Sequence, residues 1–186
     1  MLQRFLGFLA PAALCVAAAP HFQLRDTTGG LHTQADWNGA KAILLFFVTN
    51  DCPVTNSYVP EMNRIQAAYA PKGVRSFAVQ ADTSVTAQVA ARYAKEYRYR
   101  FPLLLDPSQV LVQLTGATVT PQAVVLTPDG RVLYRGRIDN RVADFGSQRG
   151  EATVHDLRDA LDAVLAGKPV AAQFTKSIGC AITRAR

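Results

Sequence analysis

Hydrophobic positions along the chain predict strands and helices in alternation. The apolar run 42–48 is too short to span a membrane and is typical of a buried strand. Residues 74–80 and 123–126 have the same character, and 101–105 predict a shorter strand. The turn Pro128-Asp129-Gly130 indicates that the chain then returns as the partner strand of an antiparallel hairpin.

Apolar residues at helical spacing predict helices between these strands. The first should run from Pro53, which is favourable at the first helical position, to Tyr69, and a brief helix should end at Leu114. The resulting order is strand, helix, strand, helix, strand, short helix, strand, strand, helix. This order predicts an α/β fold with a central mixed sheet flanked by helices.

Capping signals predict where two further helices begin. Asp82-Thr83-Ser84 can cap a helix that ends at about Tyr97. Thr153 and Asp156 resemble a capping box at the start of the last helix.

Length and composition fit one globular domain. The chain has 186 residues, of which 49% are hydrophobic, enough for a substantial core. Its formal net charge is +6, but the arginines are scattered and neither a zinc-finger nor an RNA-binding signature accompanies them. A solvated surface explains the charge, and no nucleic-acid partner is predicted.

The beginning of the chain has the composition of a targeting segment. A basic start, MLQR, precedes the apolar run 5–19, and small residues near Val16 and Ala18 offer a cleavage site. We predict a signal peptide over 1–18, a domain over 19–167 and a tail over 168–186. The mature protein would be secreted, into the periplasm of a bacterium, without a membrane span; an uncleaved anchor stays an open alternative.

One cysteine, Cys52, lies where the first long strand meets the helix that follows it. Unpaired backbone N–H groups and the helix dipole favour a thiolate at such a position. The hydroxyl of Thr55, one turn further on, is placed to hydrogen-bond the sulfur. The polar neighbours Asn50 and Asp51 predict partial exposure of the cysteine. These features favour a redox nucleophile over a buried, inert thiol.

Cys180 is the other cysteine that would remain after removal of the signal peptide, because Cys15 lies inside that segment. In an oxidising compartment an even pair of cysteines is a candidate disulfide. Cys180 could then resolve oxidised Cys52, provided that their Cα atoms come within about 6 Å. Since the sequence does not place the tail, a structural or unpaired Cys180 stays equally open.

Several motifs accompany this cysteine. Cys52-Pro53-Val54-Thr55 is followed by Pro60, Thr120-Pro121 precedes a core strand, and the segments FPLLLDP and TPDGRVLYRGRID lie further along. This set resembles thioredoxin-like proteins, in particular the redoxin or AhpC/TSA branch and its secreted bacterial thioredoxin-domain proteins. The resemblance implies a cis Pro121 that faces Cys52, with Thr120 and Pro121 contacting the substrate.

Two departures from the family patterns bear on the reaction. Thr55 occupies the position of the second cysteine of a CxxC motif, so a local dithiol cannot form. Thr49-x-x-Cys52 agrees with the peroxiredoxin pattern, yet Leu45 stands in place of its proline and no arginine lies near Thr120 in the sequence. Thr49 either binds the substrate or satisfies the turn.

The resemblance implies a thiol oxidoreductase that uses Cys52 and needs neither a cofactor nor a metal. Its substrate would be a disulfide-bearing protein or a small peroxide, with a thiol reductant as a further partner; the missing arginine favours disulfide exchange. Two alternatives stay open. A copper-handling protein like the Sco group would need a second cysteine at Asn56, and a redox-silent binding module would need only the fold.

Overall fold

A computed structural model describes residues 21–185 of the chain. Its strands are β1 (Gln23–Arg25), β2 (Leu31–Thr33), β3 (Ala42–Val48), β4 (Val74–Gln80), β5 (Leu103–Leu105), β6 (Val119–Thr120), β7 (Gln122–Leu126), β8 (Val132–Gly136), β9 (Val142–Asp144), β10 (Ser147–Gln148) and β11 (Cys180–Ala181). Its α-helices are α1 (Pro53–Tyr69), α2 (Ala87–Glu96), α3 (Val110–Thr115) and α4 (Asp156–Leu165).

Five strands form the central sheet, in the order β5-β4-β3-β7-β8. The middle strand, β3, is parallel to β4 and antiparallel to β7, so the sheet is mixed and the predicted α/β fold is confirmed. The hairpin of β7 and β8 is antiparallel, as its turn sequence predicts. Every residue of β3 is buried because both faces of the sheet are covered.

The two faces of β3 belong to two hydrophobic clusters. Leu44 and Phe46 pack with buried residues of α1 and α4, whereas Leu45 and Phe47 pack with buried residues of α3 and β1. Because successive side chains of a strand point to opposite faces, this one strand supplies both cores. Packing on both sides fixes β3 at the place where the chain enters the site.

Helix α2 begins later than its sequence predicts. Its N-cap is Thr86, whose hydroxyl accepts a hydrogen bond from the amide of Val89 at 3.3 Å. The carboxylate of Asp82 instead accepts hydrogen bonds from the amide and the hydroxyl of Ser84. The predicted cap at 82–84 is therefore wrong, because a local turn uses these groups before the helix starts.

The predicted capping box of α4 is also wrong. The N-cap is His155, without a side-chain capping hydrogen bond. The carboxylate of Asp156 pairs with Arg137, with Nε and Oδ2 2.7 Å apart, and the hydroxyl of Thr153 accepts from Nδ2 of Asn140 at 2.8 Å. Both side chains bind to the chain that follows β8, and these longer-range contacts replace the local box.

The segment after α4 returns across the domain. Thr175 donates its amide to the carbonyl of Arg135 in β8 at 3.2 Å. Further on, β11 pairs with β6 in antiparallel orientation, which places Cys180 opposite Thr120. The tail that the sequence could not place therefore lies against the domain, beside the predicted cis-proline loop.

The predicted signal peptide, residues 1–18, lies outside the described residues. Within 21–185, no helix has both the length and the apolar character that a membrane crossing requires.

Replacing Leu44 with alanine should lower the free energy of unfolding by about 2–5 kcal/mol, because a fully buried leucine leaves a cavity in a well-packed core. Urea denaturation measures this loss. Leu31 is the matched control: its side chain is 53% exposed, so its replacement with alanine should change the free energy by no more than about 0.5 kcal/mol. Equal losses for the two variants would contradict the described packing.

Candidate active site

Cys52 lies between the end of β3 and the start of α1. It is the N-cap of the helix, with extended backbone at φ −87° and ψ 108°, and Pro53 follows it at the first helical position. The amide of Asn56 donates to the Cys52 carbonyl at 3.0 Å, which begins the helical pattern. The sulfur therefore sits at the positive end of the helix dipole, as the sequence predicts.

The predicted exposure of Cys52 is wrong. Its residue surface is fully buried, at 0% exposure, although Asp51 beside it is exposed. The reason is tertiary, because the cis-proline loop and the returning tail cover the helix start. Polar neighbours in the sequence indicate the exposure of the adjacent residues, but not whether a distant segment covers the cysteine.

The cis-proline loop forms one wall of the site. The Thr120–Pro121 peptide bond is cis, as predicted, and the thiol of Cys52 donates to the Thr120 carbonyl, with Sγ and O 3.1 Å apart. The hydroxyls of Thr49 and Thr120 lie 3.0 Å apart and are hydrogen-bonded to one another. The structure thus brings Thr49, Thr120 and Pro121 together with Cys52, and the Thr49 hydroxyl already has a protein partner.

Cys180 forms the opposite wall. Its pairing with Thr120 across β6 and β11 brings its side chain onto Cys52, and the two cysteine side chains approach to 2.7 Å. Both are free thiols in this structure. The structure therefore provides Cys52 with the partner that the sequence lacks at Thr55.

The two thiols are electrostatically unequal. Burial raises the pKa of Cys52, because a low-dielectric environment disfavours the thiolate, but hydrogen bonds from Cys180 and Thr55 to the sulfur outweigh burial. The pKa of Cys52 therefore lies below its ordinary value. Burial, together with the neighbouring Cys52, raises the pKa of Cys180 to about 12. Cys52 is therefore the more acidic thiol of the pair, and Cys180 is the one that stays protonated at neutral pH.

Thr55 is the residue placed to stabilise that thiolate. Its hydroxyl is fully buried and, in the thiol form of Cys52, has no hydrogen-bond partner among residues 21–185. Both its hydroxyl and its amide act on the Cys52 sulfur and lower the pKa of that thiol. An otherwise unpartnered buried hydroxyl gains its acceptor when the sulfur ionises.

A polar cluster that the sequence did not predict supports the first turn of α1. Asn56 accepts a hydrogen bond from the Tyr93 hydroxyl at 2.9 Å and donates Nδ2 to the Tyr97 hydroxyl at 3.0 Å. The Tyr93 and Tyr99 hydroxyls are also hydrogen-bonded. Burial raises the pKa of Tyr93, and the charges of Tyr97, Cys52 and Asp51 raise it further, so its hydroxyl stays protonated. The sequence signal for this cluster is the presence of these three tyrosines within seven residues.

The described part of the chain shows no metal-binding constellation. Within residues 21–185, no group of three or more His, Cys, Asp and Glu side chains is arranged to hold a metal ion. His32, for example, is bound instead to Asp26, with Nε2 and Oδ2 2.8 Å apart. A Sco-like metal site therefore has no counterpart at Asn56, which the tyrosine hydroxyls occupy.

Comparison with known sequences identifies redox proteins as similar. The model of the AhpC/TSA family matches residues 16–135. Thiol-disulfide oxidoreductase ResA of Bacillus thuringiensis is 28% identical over 115 residues, covering 62% of this chain and 65% of that protein. The chain therefore spans 65% of the length of this relative. ResA of Halalkalibacterium halodurans is 25% identical over 132 residues, covering 69% of this chain and 73% of that protein.

Two solved structures resemble most of this chain, and a third resembles part of it. A hypothetical protein of Sinorhizobium meliloti superposes with a TM-score of 0.76 at 28% identity, covering 94% of this chain and 97% of that one. An uncharacterized conserved protein of Geobacillus kaustophilus gives a TM-score of 0.74 at 27% identity and covers 91% of each chain. A putative thiol:disulfide interchange protein DsbE of Chlorobium tepidum gives 0.55 at 27% identity, covering 63% of this chain and 81% of that one.

Replacing Thr55 with valine should raise the pKa of Cys52, because the thiolate loses a hydrogen-bond donor at nearly constant side-chain volume. At neutral pH the thiolate fraction, and with it the alkylation rate, should fall about tenfold, the effect of one charge-assisted hydrogen bond. The midpoint of the pH–rate profile for a small alkylating reagent should move to higher pH. Thr115→Val is the control, since that buried hydroxyl binds the Leu111 carbonyl. An unmoved midpoint for Thr55→Val would argue against this role.

Replacing Cys52 with serine or alanine should make Cys180 more reactive. Burial still raises the pKa of Cys180, but the charge of Cys52, which raises it further, is absent in both variants, and the hydrogen bond of Cys52 is absent in the alanine variant. Alkylation of Cys180 at pH 8, located by mass mapping, should accelerate by about tenfold. If Cys180 reacts at its wild-type rate in both variants, the two thiols are not coupled.

Proposed function

The chain belongs to the AhpC/TSA family, whose model matches residues 16–135, and on that premise we propose that it is a thiol–disulfide oxidoreductase. Cys52 is its nucleophile and Cys180 its resolving thiol. The antiparallel pairing of Cys180 with Thr120, which sets the Cys180 side chain against Cys52, is the observation that carries this proposal.

The proposed reaction uses both thiols in turn. The Cys52 thiolate attacks one sulfur of a substrate disulfide, forming a mixed disulfide and releasing the other substrate sulfur as a thiolate, which takes up a proton. Cys180 then loses its proton and attacks the Cys52 sulfur, which releases the second substrate thiol and leaves a Cys52–Cys180 disulfide. Two electrons pass from the protein to the substrate. A thiol reductant returns the pair to its reduced form by the reverse exchange.

The remaining site residues have supporting roles in this proposal. Thr55 donates to the Cys52 thiolate, and the Thr120 carbonyl accepts from the thiol form at 3.1 Å. Thr49 holds the Thr120 hydroxyl at 3.0 Å, which orients the loop. Thr120 and Pro121 form the wall against which a substrate sulfur would approach Cys52.

Disulfide exchange is better supported than peroxide reduction. A thiol positioned against Cys52 is what a two-cysteine exchange cycle needs. The groups that lower the pKa of Cys52 are Cys180 and Thr55, and no arginine within residues 21–185 is among them. The names of the ResA and DsbE relatives, which describe thiol–disulfide exchange, support the same choice.

We also propose that the protein works outside the cytoplasm on disulfide-bearing proteins. The support is the predicted signal peptide at 1–18 together with a pair of cysteines suited to an oxidising compartment. A thiol reductant of that compartment would be the second partner. A bacterial periplasm fits these requirements.

Mild oxidation of the reduced protein should remove two thiols per chain and join Cys52 to Cys180, because the two sulfurs already face each other. Thiol counting and mass mapping measure this bond. Cys52→Ser should abolish turnover of a protein disulfide with dithiothreitol as the reductant. Cys180→Ser should stop turnover but still trap a mixed disulfide at Cys52, which separates nucleophile from resolving thiol.

Two results would refute the proposal. Full turnover by Cys52→Ser would remove Cys52 as the nucleophile, and a Cys180→Ser variant with wild-type turnover would remove Cys180 as the resolving thiol. Hydrogen peroxide serves as the competing substrate. If the wild-type protein turns over peroxide faster than a protein disulfide, the reaction is peroxide reduction instead.

A further inference from the structure

The end of the chain covers Cys52 without a covalent bond. We call residues 176–185 the C-terminal lid. Its strand β11 lies on β6, the amide of Ile182 donates to the Thr118 carbonyl at 2.9 Å, and the Ile182 side chain is buried in the second hydrophobic cluster. Because both cysteines are free thiols, hydrogen bonds and apolar contacts alone hold the lid closed in the reduced protein.

The chain is also fastened where it enters the lid. Thr175 accepts the amide of Arg137 at 3.1 Å through its hydroxyl, which is also 2.7 Å from the Tyr134 hydroxyl. Gly136 allows this approach, since a Cβ there would lie 2.0 Å from Oγ1 of Thr175. The entry is thus fixed to the sheet, and opening of the lid must begin at its other end.

Two side chains bind that other end. The exposed Arg184 donates Nη2 to the Ala117 carbonyl at 3.1 Å, but more of the hydrogen bonds are made by the buried Gln109. Its Nε2 donates to the Thr183 carbonyl at 2.7 Å and to the Ala81 carbonyl at 2.9 Å, and its Oε1 accepts from the Ala185 amide at 2.9 Å. Gln109 is 1% exposed and holds a left-handed backbone conformation, φ 53°, at the start of α3. One buried amide therefore pairs with the lid main chain as a neighbouring strand would.

The closed lid also requires a close backbone contact beside Cys180. A Cβ on Gly179 would lie 2.0 Å from the Thr120 carbonyl oxygen and 2.7 Å from its carbonyl carbon, both backbone atoms. Only glycine permits the lid to approach β6 so closely that Cys180 reaches Cys52. Gly179 and Gln109 thus act at different points of one closed lid.

We infer that Gln109 is a positioning residue that latches the C-terminal lid over Cys52. With the latch closed, Cys52 is accessible to small reagents at most, and a folded protein substrate reaches it only after the Gln109 end has detached. This inference rests on the proposed role of Cys52 as the reactive sulfur. It adds that access to Cys52, and the placing of Cys180 against it, are controlled from α3.

The test compares two alkylating reagents on the reduced full-length protein. One is iodoacetamide and the other is a maleimide attached to a long polyethylene glycol chain, with modification of Cys52 located by mass mapping. Both reagents need the thiolate, so the ratio of their rates depends on steric access and not on the pKa of Cys52. The rate with the polyethylene glycol maleimide, divided by the rate with iodoacetamide, should be low for the wild-type protein.

Gln109→Ala should raise this ratio by about tenfold, as expected when a minor open state becomes substantially populated. Gly179→Ala should raise it as well, by forcing the lid away from β6 while leaving Gln109 intact. Gln113→Ala is the matched control, because Gln113 lies on the same helix, is exposed and binds only the Ser108 carbonyl. Its ratio should equal that of the wild type. An unchanged ratio in both Gln109→Ala and Gly179→Ala would overturn the inference.

Amide hydrogen exchange provides a readout that does not involve Cys52. The Ile182 amide binds Thr118 and is not itself a partner of Gln109, so it reports whether the lid detaches as a unit. It should exchange about tenfold faster in Gln109→Ala than in Gln113→Ala. Equal exchange would refute the latch even if Cys52 proved active in disulfide exchange. Faster exchange with an inert Cys52 would retain the latch and refute the proposed function.

Discussion

The pairing of Cys180 with Thr120 is the contact on which the site depends. Strand β3 carries Cys52 to the start of α1, and the cis-proline loop faces it, but these elements contain only one thiol. The antiparallel contact of β11 with β6 adds the second thiol and closes the site from solvent. A two-residue strand at the end of the chain therefore contributes half of the candidate chemistry.

Local sequence signals predicted the elements that depend on local interactions. Strand β3, helix α1 and the hairpin of β7 and β8 form where the sequence predicts them. Apolar runs, helical spacing and turn residues within each segment determine these elements. The start of α4 could not be predicted in the same way. Asp156 binds Arg137 rather than the helix backbone, and such a choice depends on a neighbour that only the folded chain supplies.

In the candidate site too, local features could be predicted from the sequence and features that depend on distant contacts could not. Cys52, Thr55 and Pro121 were recognisable from their places beside a strand, in a first turn and before a core strand. The burial of Cys52 and the function of Gln109 were not, because both result from contacts with the tail, and the pair Gln109 and Ala185 is separated by 76 positions. A glutamine before a short helix carries no sign that its amide will bind a distant segment.

In the proposed exchange cycle, the unequal pKa values of the two thiols set the order of the two steps. Before the reaction, burial and the neighbouring Cys52 keep Cys180 protonated, so it does not compete for the substrate. Once Cys52 forms a mixed disulfide, its negative charge is gone and so is that contribution to the raised pKa of Cys180. Cys180 then ionises more readily, at the moment when its attack on Cys52 is needed. The first step of the cycle thereby activates the thiol that performs the second.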